Sequence, residues 1–213
     1  MQSSGKVAVI VAHPDDETIW AGGTLLLHPN WQLTIMSLCR GDDPDRAPKF
    51  YRACDEFKAA AYIGRLDDGP EQMPLGDAEV QQKILSLLPL PEKHYDMILT
   101  HSPYGEYTRH LRHEEISRAV VSLWSDKQLS AGEIRMFAYE DGGKRYLPKP
   151  ITKAHHFIYL AEDIWRKKYR IITELYGFTP DSFEAKSAGR KEAFWCFKST
   201  AEFNKWFTNS KRR

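Results

Sequence analysis

A continuous apolar run near the amino terminus limits the folds open to this chain more than any other feature. Residues 6–12 read KVAVIVA, and polar residues follow at once from His13. A short β-branched run without polar alternation is typical of a strand that is buried on both faces of a parallel sheet. The acidic run at 15–17 then supplies capping and first-turn residues before the apolar stretch 19–27, which predicts a helix. The chain therefore begins with a strand followed by a helix.

The same strand-and-helix unit repeats along the chain. Further strands are predicted at 32–39, 96–100, 134–139 and 193–197, and further helices at 50–63 (ending before Gly64), 77–88, 112–124 and 161–176. Strands that alternate with helices predict an α/β fold with a mostly parallel sheet and helices on both faces. No linker, repeat or low-complexity segment divides the sequence, so we predict a single domain over 1–213.

Composition argues against several classes of function. The 213 residues include 30 Lys and Arg against 29 Asp and Glu, and a formal net charge of +1 gives no electrostatic reason to expect nucleic acid. No apolar segment approaches the roughly 18 residues that a membrane-spanning helix needs. Three widely spaced cysteines, Cys39, Cys54 and Cys196, suit free thiols in a reducing compartment, which predicts a cytoplasmic protein.

Two strand ends are crowded with side chains that bind metals. The segment 13–17 after the first strand reads HPDDE, and the segment after 96–100 contains His101, Glu106, His110 and His113. The carboxyl ends of parallel strands meet at one edge of the sheet, where this class of fold binds its ligands. A catalytic zinc site needs three imidazole or carboxylate ligands and a fourth position open to water. His13, Asp16 and His113 can supply those three ligands.

Simpler interpretations stay open on spacing alone. The acids at 15–17 can be capping residues, and His110 and His113 can be an exposed pair on one helical face. Both clusters nevertheless fall at strand ends independently of each other, and this convergence favours a metal site. A dinucleotide-binding site requires the motif Gly-x-Gly-x-x-Gly after the first strand. This chain has HPDDE at that position, which argues against nucleotide binding.

The same segments resemble a known family. The runs AHPDDE at 12–17, GG at 22–23, GEY at 105–107 and HLRH at 110–113 are similar to the LmbE-like or PIG-L family of zinc-dependent N-deacetylases. The resemblance covers residues 6–121. It implies a Rossmann-like fold and an enzyme that removes an acetyl group from an N-acetylglucosamine-type amino sugar conjugate.

The resemblance also implies residue roles. By the family pattern, zinc is held by His13, Asp16 and His113, and other divalent metals such as Fe, Mn and Co remain alternatives. Asp15 is then the general base that takes a proton from the water. A protonated His110 would stabilise the oxyanion or protonate the leaving amine.

Two residues are predicted to contact the substrate. Arg52 matches the arginine of the family's Arg-x-x-x-Glu helix, and Asp67 lies where the ambiguous segment around 65–69 ends. A surface ion pair between Arg52 and Glu56 is the alternative for the first of them. Arg112 departs from the family, which commonly has an acidic or small residue there. We expect Arg112 to face solvent, with an anionic group of the substrate as the alternative partner.

The sequence therefore predicts a cytoplasmic, metal-dependent N-deacetylase with a small N-acetylated substrate. Neither nucleic acid nor a membrane span is expected, and a homo-oligomer is compatible with the sequence. One alternative is the same hydrolysis on a non-sugar N-acyl substrate. The other is a non-catalytic, metal-binding Rossmann-like module.

Overall fold

Strands and helices alternate through most of the chain. The computed structural model describes residues 4–89 and 94–210. The strands are β1 (Lys6–Val11), β2 (Gln32–Cys39), β3 (Ala60–Leu66), β4 (His94–Thr100), β5 (Ser130–Phe137), β6 (Tyr139–Glu140), β7 (Lys149–Pro150), β8 (His156–Tyr159) and β9 (Lys191–Phe197). The helices are α1 (Asp16–Leu27), α2 (Arg46–Glu56), α3 (Asp77–Leu87), α4 (Leu111–Ser125), α5 (Glu162–Arg170), which a π-helical turn (Ile171–Leu175) continues, α6 (Phe183–Ser187) and α7 (Thr200–Ser210).

Seven strands form one sheet in the order β3-β2-β1-β4-β5-β9-β8, and β6 pairs with β7 separately. The first five strands of that order are parallel, whereas β9 and β8 are antiparallel to their neighbours. The predicted mostly parallel α/β fold is therefore confirmed. The chain leaves β1 toward β2 and later returns to β4 on the other side, so the strand order reverses between β1 and β4. A crevice opens at such a reversal, beyond the carboxyl ends of the two strands.

Alternating residues of β1 belong to two separate cores. Val7, Val9 and Val11 pack with α1, α2 and the π-helical turn, whereas Ala8 and Ile10 pack with α3 and α4. Successive strand side chains point to opposite faces, so an unbroken apolar run is what a strand covered on both faces requires. The two cores fix the position of β1, and with it the position of the polar segment that follows.

The predicted helix over 50–63 is wrong at both ends. Helix α2 begins at Arg46, whose N–H donates to Asp43 Oδ1, and it ends before Lys58 turns the backbone to a positive φ of 55°. The alanines that follow form β3, because pairing with β2 outweighs their helical preference. Gly64 is therefore not a helix cap. A Cβ there would lie 2.7 Å from the carbonyl oxygen of Leu38, so the two strands need glycine at this point.

Other elements lay outside the sequence prediction. Strand β8 and helices α6 and α7 were not expected, and β5 starts four residues before the predicted strand. The predicted helix over 161–176 forms as α5 and its π-helical turn. Among the helices in the two described ranges, none has both the length and the apolar composition that crossing a membrane requires.

Candidate metal centre and pocket

The turn between β1 and α1 separates two neighbouring carboxylates. Asp15 takes a left-handed backbone with φ 114°, and its carbonyl oxygen accepts the first N–H bonds of α1, from Thr18 and Ile19. Glu17, which is fully buried, accepts the Asp15 N–H at 3.1 Å and the hydroxyl of Tyr176 at 2.8 Å. Such a backbone costs about 1–3 kcal/mol at a residue with a side chain, so the surrounding bonds must hold it. As a result, the Asp16 side chain contacts His13 and His113, whereas the Asp15 side chain pairs with Arg46.

Three ligand atoms converge beyond the ends of β1 and β4. Asp16 Oδ2 lies 3.1 Å from His13 Nδ1 and 3.4 Å from His113 Nε2, and the two ring nitrogens are 3.4 Å apart. Ligand atoms about 2.1 Å from a tetrahedral metal ion lie about 3.4 Å from one another. The other Asp16 oxygen accepts the indole N–H of Trp20 at 2.9 Å, which fixes the carboxylate. The spacing and chemistry of these three donors fit one divalent metal ion.

A second carboxylate stands behind each of these histidines. Glu106 Oε2 lies 2.6 Å from His113 Nδ1, so His113 directs Nε2 to the cluster. Asp68 Oδ1 lies 3.2 Å from His13 Nε2, on the side of the ring opposite the nitrogen that faces Asp16. Carboxylates behind metal-binding histidines fix the ring orientation and raise the basicity of the ligand nitrogen. This arrangement is a further reason to regard the cluster as a metal site.

His101 also lies close to the cluster, with Nε2 at 3.5 Å from Asp16 Oδ2. Both of its ring nitrogens already have protein partners. The N–H of Ala12 donates to Nε2 at 2.9 Å, and Nδ1 contacts Glu106 at 2.9 Å. The ring also stacks on His113 at 3.8 Å. His101 therefore supports the cluster, although its ligand atom is near enough to Asp16 and His113 to form an alternative trio with them.

The pKa values of the two adjacent aspartates shift in opposite directions. Burial opposes ionisation of Asp16, yet His113 and His101 hold its pKa well below the ordinary value. Burial and the adjacent Asp16 raise the pKa of Asp15 well above its ordinary value, against the opposing effect of Arg46. Two adjacent carboxyls thus have divergent proton affinities, a pattern found where one binds charge and the other exchanges a proton.

His110 is the N-cap residue of α4, and its ring stacks on His113 at 4.5 Å. Its Nδ1 is buried and has no hydrogen-bond partner among the described residues. Burial lowers the pKa of His110 to about 3, and the neighbouring His113 and His13 contribute to that lowering. The protonated His110 of the sequence prediction does not suit this environment. The neutral ring retains one N–H with which it can donate a hydrogen bond.

An open pocket of about 220 Å³ lies over the cluster. Its lining combines acids and histidines with two arginines and several aromatic rings: His13, Pro14, Asp15, Asp16, Ile19, Trp20, Arg40, Arg46, Asp68, Tyr107, His110, Phe183 and Glu184. Arg46 Nη1 lies 3.0 Å from Asp15 Oδ2, and its guanidinium stacks over Phe178 at 4.4 Å. Asp15, Asp16, His13 and His110 thus share one pocket, and His113 lies directly beneath them.

The structure does not place the two predicted substrate contacts in this pocket. Arg52 is exposed on α2 outside the lining, and its suggested partner Glu56 faces Arg170 instead. The side chain of Asp67 is 62% exposed, and its backbone carbonyl accepts a bond from Arg112. A neighbour of each lines the pocket instead: Arg46, earlier on the same helix as Arg52, and Asp68, the residue that follows Asp67.

Arg112 faces neither solvent nor the pocket, so both predictions for it are wrong. The side chain is fully buried and bonded to the protein. The sequence prediction missed Arg46 and Asp68, which line the pocket, and it found Arg40 eligible only by its position at the end of the second strand. Asp68 could have been found, because two consecutive aspartates follow the third strand and only one of them can face the sheet edge. Nothing local in the sequence distinguishes Arg46 from Arg52.

The parallel sheet, the crevice between β1 and β4 and the histidine–carboxylate pocket define the class: a deacetylase of the LmbE type. The family model described as PIG-L, GlcNAc-PI de-N-acetylase, matches residues 8–124, which is more than half of the chain. The chain belongs to the PIG-L family, as its sequence motifs predicted. Uncharacterized protein L374 of Acanthamoeba polyphaga mimivirus is 24% identical over 178 residues, 77% of this chain and 75% of that protein.

Solved structures share the fold at low sequence identity. The N,N'-diacetylchitobiose deacetylase of Pyrococcus horikoshii superposes with a TM-score of 0.66 and 16% identity, over 91% of this chain and 84% of its own. A zinc-inhibited form of a teicoplanin deacetylase gives 0.61 and 13%, over 91% and 98%. GalB, the 4-carboxy-2-hydroxymuconate hydratase of Pseudomonas putida, gives 0.55 and 16%, over 86% and 82%. Proteins with this fold therefore include both deacetylases and a hydratase.

Proposed function

We propose that this protein is a divalent-metal-dependent hydrolase that removes the acetyl group from an N-acetylglucosamine-type substrate. One observation carries the proposal. The ligand atoms of His13, Asp16 and His113 lie within 3.1–3.4 Å of one another. The pocket above them is also lined by a second carboxyl, Asp15, whose pKa is raised by burial and by the adjacent Asp16. This combination suits the addition of water to an amide.

His13, Asp16 and His113 would hold the metal. When bound, a divalent ion supplies a Lewis acid that polarises the amide carbonyl and makes water more acidic. Asp15 accepts the proton of the attacking water and passes it to the leaving amine, a task for which a raised pKa brings a carboxyl closer to neutral pH. Arg46, 3.0 Å away, orients the Asp15 carboxylate. The neutral His110 donates its N–H to the carbonyl oxygen as negative charge develops there.

The walls of the pocket support a sugar-like substrate. Arg40, Asp68 and Glu184 offer charged donors and acceptors for hydroxyl groups, and Trp20, Tyr107 and Phe183 add aromatic faces. The family description names a GlcNAc conjugate, and one structural neighbour is a deacetylase of N,N'-diacetylchitobiose. A non-sugar N-acyl substrate is the alternative within the same chemistry. A non-catalytic metal module is less well supported, because it gives no role to Asp15 in the pocket.

Acetate release tests the proposal. The protein is stripped of metal and reconstituted separately with Zn²⁺, Co²⁺, Mn²⁺ or Fe²⁺, since one structural neighbour is a zinc-inhibited form of a deacetylase. Each form is offered a panel of N-acetylglucosamine conjugates and a matched panel of N-acetylated amines without a sugar. Asp15→Asn is the blank, and Asp45→Asn, on an exposed acid outside the pocket, is the control.

The expected result is release from the sugar panel by the parent protein and by Asp45→Asn, with none from Asp15→Asn at equal metal content. Acetate release only from the non-sugar amines would contradict the proposed sugar substrate but would still support metal-dependent deacetylation. Full activity of Asp15→Asn would remove the general-base assignment. Protein that binds none of the four metals would refute the proposed function.

A further inference from the structure

Arg112 is a fully buried charged residue on α4, next to His113. Its guanidinium makes three bonds. Nε donates to the carbonyl oxygen of Asp67 at 2.5 Å, Nη2 to that of Met73 at 2.8 Å, and Nη1 to the Glu115 carboxylate at 2.6 Å. A buried guanidinium is costly unless its donors are satisfied. Here two of the three acceptors are backbone carbonyls of one segment.

The Glu115 carboxylate holds the same segment from the same helix. Its second oxygen accepts the N–H of Leu75 at 2.9 Å, and Glu115 is as deeply buried as Arg112. Residues 67–75 lie between β3 and α3 and contain neither helix nor strand. Their backbone is therefore not fixed by a ladder of its own. Three of its polar groups are instead fixed by two side chains of α4.

The fixed segment carries Asp68 to the metal cluster. Asp68 Oδ1 lies 3.2 Å from His13 Nε2, and Oδ2 lies 2.6 Å from Arg40 Nη2. The carbonyl that Arg112 Nε contacts belongs to the residue immediately before Asp68. The backbone that Arg112 contacts is therefore the backbone from which the Asp68 side chain extends toward His13.

We propose that Arg112 and Glu115 are positioning residues that set Asp68 against His13 and so strengthen metal binding. The proposal rests on the ligand set proposed above. Helix α4 then contributes to both histidines: it carries His113 directly, and it orients His13 through the 67–75 segment. Removal of a group that orients a metal-binding histidine typically lowers metal affinity about 10–100-fold.

A mutant cycle read by metal affinity tests this proposal. The first variant pairs Arg112→Met with Glu115→Gln, because removing the arginine alone would leave a buried carboxylate unpaired. The introduced amide keeps an oxygen for the Leu75 N–H. The second variant is Asp68→Asn, and the third combines all three substitutions. Zn²⁺ affinity is measured by competition with a chromogenic chelator. Arg118→Met is the control, since Arg118 lies on the same helix in an exposed ion pair with Asp77.

The paired variant and Asp68→Asn should each bind Zn²⁺ about 10-fold or more weakly, and the triple variant no more weakly than Asp68→Asn alone. Losses that multiply in the triple variant would show that Arg112 does not act through Asp68. An unchanged affinity in the paired variant would overturn the proposal outright. If that variant does not fold, Arg112→Lys, which keeps the charge but cannot reach both carbonyls, must show the same dependence on Asp68. Parent protein without Zn²⁺ affinity would instead refute the proposed function.

Discussion

Replacing Glu106 with Gln removes the carboxylate that His101 and His113 both contact through Nδ1. Glu106 Oε2 lies 2.9 Å from His101 Nδ1 and 2.6 Å from His113 Nδ1, and Oε1 accepts the N–H of Ser102 at 3.0 Å. All three of these groups therefore donate a hydrogen bond to the Glu106 carboxylate. A glutamine has only one oxygen, so its amide N–H₂ must face at least one of these donors.

The pKa of Glu106 gives the size of the effect. Burial opposes ionisation, yet His101 and His113 lower this pKa from the ordinary 4.5 to about 2. That gap corresponds to about 3 kcal/mol in favour of the ionised folded state. A lowered pKa stabilises the fold above pH 4.5, and the contribution is lost as the pH falls toward 2. At pH 7 the Glu106→Gln variant should lose all of this contribution to the free energy of unfolding. For a chain of this size, about 3 kcal/mol corresponds to a Tm about 6–12 °C lower.

Calorimetry of the metal-free protein at pH 7 measures the loss, with Glu162→Gln, in an exposed ion pair with Arg166, as the control that stays near the parent Tm. In the metal-loaded protein, Glu106→Gln should also weaken Zn²⁺ binding about 10–100-fold, because His113 loses its orienting partner. The reasoning is refuted if the variant unfolds at the parent temperature, or if its deficit persists unchanged at pH values below about 2, where Glu106 of the parent is largely protonated.

Two further predictions concern single side chains. His110→Ala should keep Zn²⁺ affinity and lower kcat about 10²-fold, as expected for a lost hydrogen-bond donor; chelator competition beside steady-state kinetics checks it, and equal loss of metal would make His110 a ligand. Lys168→Met should lower the free energy of unfolding by about 3–5 kcal/mol in urea titration, because it removes the positive charge 2.8 Å from the buried Glu192 carboxylate and leaves only the neutral donors of Gly23 and Thr24. Glu192→Gln alone should also be destabilising, because its amide N–H₂ must face a donor of Gly23 or Thr24, and a neutral effect of either variant would contradict the assignment.

Much of the cluster was predictable because its signals are local. The unbroken run of β1 fixes where a buried strand ends, and topology then brings His13 and Asp16 to the edge where the residues after β4 also arrive. Because β1 and β4 are parallel neighbours, the segments that follow them reach the same edge of the sheet. Helix α4 and the Glu106 contact then bring His113 to within 3.4 Å of Asp16, although almost a hundred residues separate the two.

The remainder depended on packing that no local pattern reports. Ala60–Leu66 has the composition of a helix end, yet it becomes a strand because β2 offers an unpaired edge. From the sequence alone, Arg112 is expected at the surface because it is a charged residue next to a histidine on a helix. In the structure the 67–75 segment covers it and supplies two backbone carbonyls as acceptors. Arg46 rather than Arg52 lines the pocket because α2 begins four residues before the predicted start and presents its first turn to Asp15.

Helix α6 lies well beyond residue 124, where the family match ends, yet its Phe183 and Glu184 form part of the pocket wall. The Phe183 ring packs edge-on against the Tyr107 ring, with 5.0 Å between the ring centres, so α6 contacts the loop that precedes His110. Sequence drift in the five residues of α6 can change which molecules enter without altering the turn and the helix that carry His13 and His113. A directed-evolution library confined to positions 183 and 184 is therefore the shortest route to a new substrate range with the metal cluster left intact.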